Sequence, residues 1–114
     1  MKTTETFHTQ LISVNVKKKG EARITFACDK EAFMKLEELR SAELPLDFWV
    51  EGAELEKLSG AIVSITSTSS GSFPRKFVIE TPESEKMRVA ELTSLMGAEL
   101  NIIMEIMQED KLAL

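Results

Sequence analysis

Hydrophobic positions near the start of the chain recur with a period of two. Between Phe7 and Val16, Ile12, Val14 and Val16 point one way while Ser13 and Asn15 point the other, the pattern of a half-buried strand. The segment Lys17-Lys18-Lys19-Gly20-Glu21 is polar and contains a glycine able to take positive φ. Ala22, Ile24, Phe26 and Cys28 then alternate against Arg23, Thr25 and Ala27, so the two runs predict a β-hairpin. Asp29 is placed to cap a helix over 30–40, in which Ala32, Phe33, Leu36 and Leu39 share one face. Leu44 and Pro45 stop it, because proline forces its predecessor into extended geometry. A third strand follows at 46–50, rich in aromatic and β-branched residues. Gly52 and Gly60 bracket a short helical turn over 53–58 that offers Leu55 and Leu58 to a core. Strands over 61–68 and 77–79 form a second hairpin around a Ser/Thr-rich loop at 67–72.

The period then changes. Thr81-Pro82-Glu83 combines an N-cap residue, a proline at the first helical position and a carboxylate suited to the helix dipole. A helix from 82 to about 110 is expected, rich in Met, Leu, Ala and Glu. Such a rod would be about 44 Å long, against roughly 34 Å for a compact domain of this size. Its apolar arc stays in phase through Gly97 and widens from about 120° to about 200° toward the C-terminus. One packing surface does not normally cover so much. Either the sheet wraps the helix on several sides as a core element, or its C-terminal half packs against a second copy or another protein, an exposed apolar patch of that extent being unusual on a monomer. The residues expected at that contact are Leu92, Leu95, Met96, Leu100, Ile103, Met104, Ile106 and Met107. The expected fold is a single α+β domain over 1–114. It has an antiparallel sheet of about five strands, two short helices and one long C-terminal helix over 82–110.

Length and composition agree with one soluble domain: 114 residues, 43% hydrophobic, and no apolar run near the roughly 20 residues a membrane span requires. No basic-then-apolar leader opens the sequence, and the single cysteine cannot form an internal disulfide, so a cytoplasmic setting is expected. Net charge is −5, but residues 1–40 carry +2 and residues 41–114 carry −7. An acidic chain is a poor general binder of nucleic acid, whose affinity comes mainly from phosphate neutralisation. A local basic patch of Lys17, Lys18, Lys19 and Arg23, extended by Arg75 and Lys76 if the hairpins adjoin, is the alternative contact for a phosphate backbone.

Chemistry is sparse. With one histidine and one cysteine, His8 and Cys28, no imidazole- or thiolate-rich metal site can be assembled, and both read as structural. Carboxylates such as Glu51, Glu80 and Glu83 lack the spacing of a calcium loop. Neither Gly52 with Gly60 nor Ser70-Gly71-Ser72 provides a phosphate-binding glycine motif. Phe48 and Trp49 alternate, so one faces the core while the other meets solvent or a partner. No catalytic residue, cofactor or metal is assigned.

The run FHTQLISVNVKKKGEARITFACDKEAFMKLEELRSAELPLDFWVEG, residues 7–52, resembles small proteins encoded in the early or replication modules of temperate phages and prophages. The likeness lies in element order: a β-hairpin, a short acidic helix and a closing strand. It implies a phage or bacterial origin and an accessory, non-enzymatic role. The expected function is a protein-interaction or oligomerisation protein, forming a homo-oligomer (most simply a dimer) or binding another protein. The alternative is a nucleic-acid accessory protein using the basic hairpin tip.

Overall fold

A computed structural model describes residues 2–42, 46–52, 57–67 and 74–107. Six antiparallel strands close into a barrel: β1 (Lys2–Val16), β2 (Ala22–Cys28), β3 (Leu46–Val50), β4 (Leu58–Ser67), β5 (Arg75–Thr81) and β6 (Glu99–Met107). Around the barrel the order is β1-β2-β5-β4-β3-β6 and back to β1. Strand β1 makes closure work by changing partner along its length. Lys2 to Gln10 pair with β6, from Lys2↔Met107 to Gln10↔Glu99, while Thr9 to Val16 pair with β2.

Both hairpins expected from the alternation are present, and α1 (Lys30–Ala42) begins where Asp29 accepts a 2.8 Å hydrogen bond from the Ala32 amide. The helical turn expected over 53–58 lies largely outside the described residues, and Leu58 begins β4. The loop at 67–72 lies outside them as well, apart from Ser67 at the end of β4.

The long C-terminal helix does not form. The segment after Thr81 makes a 3-10 turn (Glu83–Glu85), the short helix α2 (Lys86–Leu92) and a second 3-10 turn (Thr93–Leu95). Met96 is extended (ψ 134°) and Gly97 sits at φ +86°, a left-handed conformation that ends the helix. Residues 99–107 then become β6, zipped to β1 on one side and to β3 on the other. Leu100, Ile102 and Met104 alternate with Asn101, Ile103 and Glu105, a period of two that the helical count through Gly97 had absorbed. Pairing with two strands satisfies backbone groups on both sides and overrides the helix preference of Leu, Met and Glu. The sheet is therefore a six-strand barrel, not a five-strand layer carrying a rod.

Inward residues fill the barrel. Phe26 stacks on Phe77 (centroids 5.3 Å apart) and meets Phe48 edge-on at 6.3 Å. Leu11, Ile24, Ile79, Ile102 and Met104 are fully buried around them. Eight strands give a barrel just wide enough for side chains to fill, so six leave less room for a guest. Buried Thr9 donates to the Leu100 carbonyl at 3.0 Å, which satisfies its hydroxyl.

A helix packs at each end. At one end α1 runs from β2 to β3 across β4 and β5, burying Ala32 and Leu36. Its Lys35 pairs with Glu5, which sits on the stretch of β1 that β2 does not reach. At the other end α2 lies against β1 and buries Val89 and Leu92.

Candidate interaction surface

With its interior filled by side chains, the barrel offers its outside for contacts. Two β-bulges shape it, one in β1 between Leu11 and Ser13 and one in β4 between Ile62 and Ser64. Each inserts a single β-branched residue, Ile12 and Val63, and each leaves that residue outward and exposed (37% and 41%). The bulge also corrects the expected facing of β1: Ile12 points away from the side shared by Leu11 and Val14, which pack on the core.

Register places the two bulges at one level. Ser13 pairs with Thr25, Thr25 with Val78, and Val78 with Ser64. Ile12 and Val63 flank that row at either end, giving an uncharged band across β1, β2, β5 and β4. The row on one side carries Arg23 and Glu80, paired across the strands and joined at 3.0 Å, with Lys17 3.7 Å from the same carboxylate. On the other side lies half-buried Lys76.

The basic residues do not form one patch. Lys17, Lys18 and Lys19 occupy the β1–β2 turn, beside the Ala22↔Thr81 pair. Arg75 and Lys76 pair with Cys28 and Ala27 at the opposite end of the same ladder, about 20 Å away along the strand. Lys17 and Arg23 are further committed to Glu80. Gly20 in this turn is buried beneath Glu83, whose Cγ would lie 2.6 Å from an added Cβ, so a carboxylate sits directly on the basic tip.

The residues expected to form a helical contact separate. Leu92 and Met104 are buried in the core, Leu95 and Leu100 pack partly against it, and Met96 is 50% exposed in the turn before Gly97. Ile103 faces outward on β6, half-buried. The side chains of Ile106 and Met107 lie outside the described set.

On the opposite face, Trp49 and Thr6 both pair with Ile103. Lys57 stands over the Trp49 ring at 4.8 Å and reaches Glu105 at 3.8 Å. Asp47 accepts a 2.7 Å hydrogen bond from the Ser59 hydroxyl. Nothing in the alternation of 46–50 identified which aromatic would face out; the register does, with Phe48 buried and Trp49 outside.

His8 and Cys28 do not meet as a catalytic pair. His8 lies outside, with Nδ1 2.9 Å from the Asn101 side-chain oxygen, whereas Cys28 is fully buried. Burial, reinforced by Asp29 and partly offset by Arg75, pushes the Cys28 thiol up to about 12, so it is protonated and unreactive at neutral pH. An open cleft of about 530 Å³ lies at the α2 end of the barrel, with Glu21, Glu80 and Glu83 on its wall. Among the described residues no group of three or more His, Cys, Asp or Glu is arranged to hold a metal ion. Nor is any described helix long and apolar enough to cross a membrane.

No protein-family model, curated protein or solved structure matches the chain.

Proposed function

We propose that this chain is a non-enzymatic protein-interaction module that self-associates through the outside of its barrel. The observation that carries the reading is a pair of bulges that turn two β-branched residues outward, Ile12 on β1 and Val63 on β4, three strands apart around the barrel. Bulges re-aim side chains, and uncharged outward bands of this kind suit the centre of a protein contact. Support also comes from the interior, which is packed with its own aromatic side chains. The phosphate-binding alternative is less favoured, because Glu80 engages both Lys17 and Arg23 and Glu83 covers the turn.

Light scattering coupled to gel filtration tests this at about 50 µM, well above the Kd of a micromolar contact. The wild-type chain is expected to elute above monomer mass, and Ile12→Glu/Val63→Glu to fall back toward monomer. A strictly monomeric wild type overturns the reading.

A further inference from the structure

We infer that the first residues of β1, Lys2 to Thr6, form a free strand edge that pairs antiparallel with the same edge of a second copy. The inference stands on backbone geometry and uses neither Ile12 nor Val63. Strand β1 is longer than β2, and their ladder ends at Thr9↔Cys28. Beyond Cys28 the chain turns away, with Asp29 capping α1. Lys2 to His8 are therefore paired to β6 on one side, and among the described residues no strand pairs with them on the other.

The direction of the backbone groups follows from Leu11. Its amide donates to the Ala98 carbonyl at 3.1 Å and its carbonyl accepts from the Gly97 amide at 2.7 Å, so Leu11 faces the β6 side. Successive residues of a strand turn their N–H and C=O to opposite sides. Counting back, Thr9, Phe7, Glu5 and Thr3 face β6, whereas Thr6, Thr4 and Lys2 present theirs to the open side. Helix α1 does not cover this stretch: it packs on β4 and β5 and reaches β1 through the Lys35–Glu5 pair. Thr4 and Thr6 are exposed. An unpaired edge of this kind is a template for another strand.

The edge is complementary to itself. Antiparallel pairing about Thr4 sets Thr4 opposite Thr4, and Lys2 opposite Thr6, of the second copy, so each open backbone group meets another. Thr3 then falls opposite Glu5, and no two like-charged residues are opposed. Pairing about Glu5 would instead oppose two carboxylates, which disfavours that register. The Glu5 carboxylate is already paired with Lys35, so strand addition brings in no bare charge. Threonine suits a strand, and a Thr–Thr pair suits its centre. The contact is isologous and closes at a dimer. Five residues at ~3.3 Å give about 17 Å of ladder, a small footprint that fills only at high concentration.

The test is amide–water exchange, read by NMR on the full-length chain at about 20 µM and about 1 mM, with light scattering giving the mass. At the lower concentration the Thr4 and Thr6 amides are expected to exchange fast while Glu5 and Phe7 are protected by β6. At the higher one Thr4 and Thr6 are expected to slow about threefold or more. Thr4→Pro removes an N–H that the β6 ladder does not use, and proline is tolerated at such an edge. It is expected to keep Thr6 fast at both concentrations; Thr6→Pro, read at Thr4, replaces it if it unfolds. Ile12→Glu/Val63→Glu is expected to retain the slowing. If Thr4 and Thr6 stay fast at 1 mM while the mass rises, the edge inference fails and self-association by another surface stands. Slow exchange in a chain that is monomeric at both concentrations means that the chain covers its own edge, which also overturns the inference.

Discussion

Ile12 on β1 and Val63 on β4 are the extra residues of two bulges that flank a single cross-barrel row, Ser13–Thr25–Val78–Ser64. Neither side chain contributes to the filled interior. Ile12→Thr and Val63→Thr are each expected to lower stability by no more than about 0.5 kcal/mol, the range for surface changes. Urea denaturation checks this, and the same variants are expected to weaken association measurably at unchanged stability.

The interior behaves differently. Phe26 and Phe77 stack at 5.3 Å and are fully buried, so truncating either leaves a cavity beside an aromatic partner. Phe26→Ala or Phe77→Ala is expected to cost about 3–5 kcal/mol, read from the shift in the urea midpoint. In a domain of this size that approaches the whole stability.

Gly97 distinguishes the barrel from a long helix by the sign of one substitution. At φ +86° an alanine is strained, although nothing lies within 4 Å of the added Cβ. Gly97→Ala is expected to destabilise by about 1–2 kcal/mol. In a continuous helix the same change would stabilise by about 1 kcal/mol. Thermal and urea unfolding give the sign directly.

Cys28 adds a pH dependence. Its folded-state value lies near 12, above the ordinary 9.0, so the folded chain holds this proton more tightly than the unfolded one. The resulting stabilisation is fully present below about pH 9 and is lost as the pH rises toward 12. Wild-type stability is expected to fall more steeply than that of Cys28→Ala between pH 9 and about 11. At neutral pH the thiol is expected to react with a disulfide reagent only as fast as the barrel opens.

The first half of the fold was legible because its signals are local. Asp29 caps α1, Pro45 precedes β3, and Ala22 to Phe26 alternate in burial. The bulges were not legible: Ile12, Val14 and Val16 look like one face, and only pairing with Phe26 and Thr25 reveals that Ile12 has turned outward. The C-terminal third was misread for a related reason. Residues 99–107 carry alternation and helix-favouring composition together, and the partner that decides between them, β1, lies some 90 residues away. Of the expected contact residues, Ile103 faces outward on β6 and Met96 is exposed, while Leu92 and Met104 are buried. That Trp49 and Lys76 face outward follows from register, a property that one strand's sequence does not contain.

Which residues face outward follows from β6 closing the barrel between β1 and β3. Nuclear Overhauser spectroscopy of the isotope-labelled chain tests that closure directly. Backbone contacts between residues 2–10 and 99–107 are expected in antiparallel register, with Thr6 opposite Ile103 and Phe7 opposite Ile102. Sequential amide–amide contacts running unbroken from 86 through 107, with none to the first strand, would contradict it.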